Sequence, residues 1–156
     1  MMKKQALIIL LTTCTIACNN KPNSESESVV VETAGEASGC FAFTENKDSA
    51  FLNIDVTDSI VTGELVYALF EKDSNKGKIS GKMSGDTLFA KYTFQSEGTE
   101  SMREVAFLKG NDSWTEGFGP VEEQSGSMLF KDHAAIAFEK GLVFKKIPCP
   151  GNGGEH

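Results

Sequence analysis

The segment that decides the fold is LFAKYTF, residues 88–94, in which Lys91 and Thr93 alternate with apolar side chains. Successive side chains of an extended strand point to opposite faces, so this period of two indicates a strand with one buried face. The predicted buried face carries Leu88, Ala90, Tyr92 and Phe94. The same alternation appears in FLNIDV (residues 51–56), VTGELVYALF (61–70) and REVAFL (103–108).

Short polar segments rich in Asn, Asp and Gly separate these strands and predict tight turns. They are residues 46–48, 73–77, 84–86, 98 and 110–112. Their regular spacing over residues 39–149 predicts one all-β domain, either a small antiparallel up-and-down barrel or a strongly curled meander of about eight strands. Gly63 and Gly81 are expected to relieve crowding where strands bend.

One short helix is predicted near the C-terminus, over residues 133–140. Asp132 is a suitable N-cap and Gly141 a suitable C-terminal stop. Residues 142–147 then have the pattern of a closing strand.

Two cysteines, Cys40 and Cys149, lie near the two ends of the predicted domain. An even pair in an exported protein usually forms a disulfide, and a barrel whose first and last strands are neighbours would bring these two together. A bridge closing so long a loop contributes at most ~4–5 kcal/mol in the chain-entropy model. Two buried free thiols are the alternative.

The N-terminal residues have the form of an export signal. Lys3 and Lys4 precede an apolar run at residues 6–11, and the chain becomes polar directly after Cys18. The apolar segment is shorter than the ~20 residues that span a bilayer. Residues 1–17 are therefore predicted to be a signal peptide.

The TIAC sequence at residues 15–18 resembles the lipobox of bacterial lipoproteins, with Ala17 before the cysteine and Thr15 where Leu is usual. The resemblance implies cleavage before Cys18 and covalent attachment of lipid to its thiol, where each buried methylene contributes ~0.8 kcal/mol to membrane binding. LTTC at residues 11–14 is a second register, but the polar chain begins only after Cys18.

Residues 18–38 are rich in Ser, Glu and Asn and bury too little apolar surface to fold, so a flexible polar tether is predicted. An extra edge strand at the three valines of residues 29–31 is the alternative prediction. Residues 150–156 are predicted to be a disordered tail.

Without residues 1–17 the chain keeps 13 basic and 22 acidic side chains, a formal charge of −9. This charge argues against nucleic acid as a partner and against electrostatic adhesion to anionic lipid.

Arg103 is the only arginine in the chain, and strand alternation places it on the same face as Val105 and Phe107. A guanidinium inside a barrel requires a carboxylate, because an unpaired buried charge is costly. Glu97, Glu100 or a residue of a neighbouring strand is the predicted partner. The arrangement would either close a barrel end as an ion pair or clamp the carboxylate or phosphate of a ligand.

Aromatic side chains provide the second set of candidate ligand contacts. Tyr67 and Tyr92 fall on predicted inner faces, and Trp114 lies near a turn, where it would line a barrel mouth. Filling of the interior by these side chains is the alternative.

No catalytic residue, metal site or cofactor is predicted, since the chain has no nucleophile elbow, phosphate loop or metal-ligand spacing. His133 is interpreted as a surface side chain. A hydrolase that uses Glu97, Ser101, Arg103 and Glu104 is an alternative, and it requires these side chains to converge on an open cleft.

Three segments resemble small lipid-anchored lipoproteins of Bacteroidota: GCFAF at residues 39–43, the stretch from VTGEL to FQSEG at 61–98, and SMREVAFL at 101–108. The resemblance covers most of residues 39–149 and implies an exported, lipid-anchored single domain with no assigned activity. A looser similarity to lipocalin-type barrels rests on the meander pattern and a Gly-x-aromatic start, with Phe41 in place of the usual Trp.

Three triplets match the Asp-Ser/Thr-apolar pattern of O-glycosylation in exported proteins of that phylum. They are DSA, DSI and DTL, and they predict modification of Ser49, Ser59 and Thr87. All three lie at predicted turns, where Asp-Ser pairs are also common for structural reasons.

Together these features predict a non-enzymatic lipoprotein of the cell envelope, held in the outer membrane by lipid on Cys18. Its barrel is expected to bind a small ligand. The alternative is an accessory subunit of an outer-membrane complex, with another envelope protein as its partner.

Overall fold

The computed structural model describes residues 37–96 and 98–150, which are built almost entirely from β-strands. The strands are β1 (Gly39–Glu45), β2 (Asp48–Thr57), β3 (Ile60–Ala68), β4 (Asn75–Ser84), β5 (Thr87–Ser96), β6 (Thr99–Lys109), β7 (Ser113–Gly117), β8 (Val121–Gln124), β9 (Ser127–Phe130) and β10 (Val143–Ile147). The helical content of these residues is one 3-10 turn, His133–Ala135.

Eight of the strands close into an antiparallel barrel. Their order around the wall is β1, β2, β3, β4, β5, β6, β7 and β10, and β10 pairs with β1 to complete the ring. The other two strands form the β8–β9 hairpin, which attaches to β6 through β9. The predicted small antiparallel barrel is confirmed, and the hairpin is an addition to it that the sequence pattern did not indicate.

Several hairpins turn through two residues, and the first of the two has a left-handed backbone. Asn46 and Asp58 have φ values of 54° and 57°, a conformation that Asn and Asp tolerate better than most residues. Gly85 adopts a φ of 59° in the turn between β4 and β5. Such turns match the right-handed twist of the strands that they join. The turns predicted at residues 46–48 and 84–86 are therefore confirmed.

The inward faces of the barrel strands form a continuous apolar core. Its fully buried side chains include Phe41, Leu52, Leu65, Leu88, Tyr92, Phe107, Trp114 and Phe144. The face predicted for residues 88–94 is confirmed, since Ala90 is also buried and Lys91 is exposed. Each large apolar side chain removed from water contributes about 1.5–3 kcal/mol.

Gly63 and Gly81 lie where neighbouring strands approach one another closely. A β-carbon at Gly63 would overlap the carbonyl oxygen of Asn53, and one at Gly81 would overlap that of Phe89. The absence of a side chain permits the tight coiling of a small barrel at these points. The predicted role of both glycines is thereby confirmed.

The predicted disulfide between Cys40 and Cys149 is present, with the two Cα atoms 5.0 Å apart. The closing strand predicted at residues 142–147 is β10, and its last residue, Ile147, pairs with Cys40. The bridge therefore joins the first strand to the chain that follows the last one, across a sequence separation of 109 residues.

The prediction of a helix over residues 133–140 is wrong beyond the first turn. Asp132 does act as a cap, because its Oδ1 accepts a 2.8 Å hydrogen bond from the N–H of Ala134. The chain then becomes extended and Ala137 pairs with Phe118, the residue that follows β7. Packing against the barrel thus overrides the local helix propensity.

Residues 1–36, 97 and 151–156 lie outside the described residues, and with them the predicted signal peptide, Cys18, most of the tether and most of the tail. The described chain begins at Ala37, which packs against the core. Ser38 Oγ accepts a 2.9 Å hydrogen bond from the N–H of Val56. In residues 37–96 and 98–150 no helix is long and apolar enough to cross a membrane.

Candidate ligand-binding site

A cavity of about 320 Å³ lies beside β6, where the barrel wall changes partners. β7 pairs with β6 along one end, from Ala106 to Lys109. β9 pairs with the same edge of β6 further along, at Met102 and Arg103. The chain that leaves β7 pairs with Ala137 instead of β6. The cavity occupies the seam that this divergence leaves in the wall.

The cavity has an apolar wall and a few charged groups. Its lining includes the apolar side chains Val105, Phe118, Val121, Met128 and Phe130 and the charged side chains Arg103, Glu104 and Glu116. Phe118, Val121 and Met128 are also exposed, so they border the opening. A mostly apolar pocket with a few polar groups is the usual form of a small-molecule site.

Arg103 points into the barrel, as strand alternation predicted. Its Cζ atom lies 5.1 Å from the ring centre of Tyr67, 5.5 Å from that of Tyr92 and 5.8 Å from that of Phe94. Aromatic faces attract a cation at these distances, and three of them surround one guanidinium.

The carboxylate partner predicted for Arg103 is not found among the described residues. The ion pairs of the described residues join Lys76 to Glu64 and His133 to Glu104, and neither includes Arg103. Glu100 is exposed and Glu97 lies outside the described residues. Among the described residues, the side chains found around the guanidinium are the three aromatic rings.

Glu116 on β7 is the buried acid of this region. Its side chain is 3 % exposed, and its Oε1 accepts a 2.6 Å hydrogen bond from the hydroxyl of Tyr67. Burial raises the pKa of Glu116, while the Tyr67 hydrogen bond and the Arg103 charge act in the opposite direction. Sequence analysis missed this residue, although alternation along WTEG places it on the same inner face as Trp114.

Several buried polar atoms of this region have no hydrogen-bond partner. Among the described residues they are Asn75 Oδ1, Tyr92 Oη, Arg103 Nε and Glu116 Oε2, on the successive strands β4 to β7. Buried polar atoms are normally paired, so each orphaned group calls for an explanation. Arg103 Nε is a donor and an ionised Glu116 Oε2 is an acceptor, and both side chains line the cavity. The cavity wall therefore brings together a cationic and an acidic side chain, each of which keeps an unsatisfied polar atom.

The two tyrosines predicted as ligand contacts lie behind the charged groups of the cavity. Their rings meet edge to face, 5.9 Å apart. Burial raises the pKa of Tyr67 well above its ordinary value, and burial also raises the pKa of Tyr92 to about 12. Both hydroxyls therefore stay protonated at neutral pH and remain able to donate hydrogen bonds.

Trp114, the third predicted aromatic contact, belongs to the core. It is 1 % exposed, and its ring meets that of Phe41 edge to face at 6.4 Å. The predicted position at a barrel mouth is wrong, because β7 begins at Ser113 and alternation then turns Trp114 inward. Its cross-strand neighbours are Lys109 and Phe144.

Of the alternative hydrolase cluster, Glu97 lies outside the described residues, and Arg103 and Glu104 point to opposite faces of β6 although both line the cavity. Arg103 points into the barrel, whereas Glu104 lies on the other face of β6. The Glu104 carboxylate accepts a 3.0 Å hydrogen bond from the N–H of Phe130 and lies 2.9 Å from Nε2 of His133. The His133 ring also stacks on Phe89 at 4.1 Å. His133 is a surface side chain, as interpreted from the sequence. Its contacts with Glu104 and Phe89 attach the chain that follows β9 to the barrel.

The three predicted glycosylation residues differ in exposure. Ser59 lies in the turn between β2 and β3 and is exposed, whereas Ser49 in β2 and Thr87 at the start of β5 are partly buried. Ser59 is the most accessible of the three, and modification at each position stays a prediction.

In the part of the chain that the structure describes, no three His, Cys, Asp or Glu side chains are placed to hold a metal ion. Comparison of the chain with protein-family models, with curated proteins and with solved structures found no match. The cavity must therefore be interpreted from its own geometry.

Because the pKa of Glu116 is raised, the free energy of unfolding is expected to depend on pH. The protonated carboxyl fits the buried site, so its contribution is complete below the ordinary glutamic acid pKa and is lost as pH rises through the raised value. Glu116→Gln has the shape of the protonated acid and does not ionise. We therefore expect the stability of the variant relative to wild type to increase as the pH is raised from about 4 to about 8. Urea unfolding at the two pH values measures this change.

The matched control is Glu123→Gln on the exposed strand β8. It should change stability equally, and only slightly, at the two pH values. A stability difference between Glu116→Gln and wild type that does not change with pH would contradict the assigned raised pKa.

Proposed function

We propose that this barrel binds a small amphipathic molecule in the seam between β6, β7 and β9, without catalysing a reaction. A carboxylate or phosphate head of the ligand contacts Arg103, and its apolar part lies against Val105, Phe118 and Met128. The observation that carries the proposal is Arg103, whose side chain lines a mostly apolar cavity and whose Nε has no hydrogen-bond partner among the described residues. The volume of about 320 Å³ suits a small molecule, since ligand sites run from ~300 to ~1,000 Å³.

The cavity and the ends of the described chain lie at opposite ends of the barrel. Cys40 at the start of β1 pairs with Ile147 at the end of β10, so both ends of the described chain lie at one end of the barrel. The cavity lies towards the opposite end, because Gly117 ends β7 and β7 runs antiparallel to β10. The opening therefore lies at the end of the barrel away from Cys40 and Ile147.

Binding is tested by isothermal titration calorimetry with hexanoate and hexyl phosphate as probes and hexanol as the neutral comparison. The charged probes should bind more tightly than hexanol. Arg103→Met should weaken the charged probes by about 10- to 100-fold, because a hydrogen bond to a charged group contributes ~1.5–3 kcal/mol. Lys82→Met, which removes an exposed charge, is the control and should leave both affinities unchanged. Equal affinities of Arg103→Met and wild type would refute the proposal.

The proposed address of the protein is the cell envelope, with lipid on Cys18 as the anchor. Support comes from the lipobox resemblance at residues 15–18 and from the disulfide, which is typical of an oxidising compartment. In a bacterium with two membranes, labelled palmitate should enter the wild-type product and Cys14→Ser but not Cys18→Ser. Equal labelling of Cys18→Ser would contradict the assignment.

Docking of another envelope protein is the second candidate function. Phe118 is 50 % exposed at the cavity rim, next to Val121 and Met128, and exposed apolar clusters often mark contact surfaces. A partner that covers this rim would lose affinity with Phe118→Ser and keep it with Arg103→Met. Cross-linking in intact cells followed by mass analysis of the two variants separates this function from ligand binding.

A further inference from the structure

Besides Arg103, the cavity has an acidic side chain, Glu116. A ligand whose only charged group is a carboxylate or phosphate would leave this side chain without a partner. Glu116 lines the cavity together with Arg103, and its Oε2 is buried without a partner. Its Oε1 is already occupied by the hydroxyl of Tyr67. Glu104, the other acid of the lining, accepts from Phe130 and lies against His133. Glu116 Oε2 is therefore the free acceptor of the site.

The charge balance restricts what fits between the two groups. A ligand carboxylate at Arg103 adds a second negative charge near Glu116, and like charges in a buried site repel unless one takes up a proton. An ammonium next to the ligand carboxylate removes this conflict, because it supplies a positive charge and N–H donors for Oε2. When Glu116 is ionised, the charges of Arg103 and Glu116 are opposite, so a zwitterion leaves the site neutral.

We propose that the ligand is an apolar α-amino acid. This inference rests on the proposed function and names its ligand class. The carboxylate of the amino acid accepts from Arg103, its ammonium donates to Glu116 Oε2, and its side chain lies against the apolar wall that includes Val105 and Phe118. An α-amino acid carries both charged groups on one carbon, so one small molecule satisfies the donor and the acceptor of the same cavity.

The test compares three probes of one shape by calorimetry on the disulfide-bonded protein. They are L-leucine, 4-methylpentanoate, which lacks the ammonium, and 3-methylbutylamine, which lacks the carboxylate. L-Leucine should bind at least about 10-fold more tightly than either analogue, because each analogue leaves Arg103 or Glu116 without its ligand partner. Glu116→Gln should abolish the preference for L-leucine over 4-methylpentanoate. Glu123→Gln, the exposed control, should retain it.

Each outcome decides something separate. If 4-methylpentanoate binds wild type as tightly as L-leucine does, the inference is overturned and the proposed binding of acidic ligands stands. If neither probe binds, both are overturned. A preference for L-leucine that survives in folded Glu116→Gln overturns the assignment of the ammonium to Glu116. If this variant does not fold, the comparison of the three probes on wild type still decides the ligand class.

Discussion

The double variant Cys40→Ala/Cys149→Ala is expected to unfold with a free energy about 4 kcal/mol lower than that of the disulfide-bonded protein. The bridge closes a loop of 109 residues, so its removal frees almost the whole unfolded barrel domain. It also reinforces one of the two shortest junctions of the wall, since β1–β10 and β7–β10 have three residue pairs each. β1 and β10 share three residue pairs, whereas β2 and β3 share nine.

Urea unfolding followed by circular dichroism measures this change, and the slope of the transition shows whether unfolding stays two-state. Wild type treated with a reductant is the matched control and should reproduce the double variant. A double variant as stable as the oxidised wild type would show that the β1–β10 junction does not depend on the bridge.

The barrel itself was predictable because its main signal is local. Alternation with a period of two over residues 61–70 and 88–94 assigns each side chain to a face without knowledge of its neighbours. The turns at Asn46 and Asp58 were also predictable, since these residue types tolerate the left-handed backbone that a two-residue hairpin needs. The disulfide was predicted from the even cysteine pair, and ring closure brings Cys40 next to the end of the last strand.

The errors arose where distant packing decides the structure. Residues 133–140 carry a good helix cap, but the chain after the first turn is extended and pairs at Ala137 with Phe118, which no local pattern shows. The position of Trp114 depended on where β7 starts, and a shift of one residue moves every side chain of a strand to the other face.

The candidate site was predictable in part. Arg103 was predicted to point inward because it lies on the same strand face as Val105 and Phe107. The side chains around it were not predicted. Three aromatic rings from β3 and β5 surround the guanidinium, and these strands are brought to β6 only by barrel closure. Glu116 was missed because an acidic residue in an alternating strand is normally assigned to the exposed face. The position of Trp114 two residues earlier is the signal that would have found it.

Trp114→Ala is expected to lower the free energy of unfolding by about 3–5 kcal/mol, because a large aromatic side chain in a close-packed core leaves a cavity. Trp114 is 1 % exposed and contacts Phe41 in the interior of the barrel. It does not line the candidate cavity, so the affinity of the folded variant for hexanoate should stay within about twofold of wild type. Urea unfolding and calorimetry measure the two quantities.

Trp114→Phe, which keeps an aromatic ring, is the matched control and should lose clearly less stability than Trp114→Ala. The pair of measurements separates the core position from the barrel-mouth position that the sequence suggested. A tryptophan at a mouth would give a stability loss below about 1 kcal/mol on truncation, together with weaker ligand binding. That result would place Trp114 in the site and would contradict its position between β6 and β10.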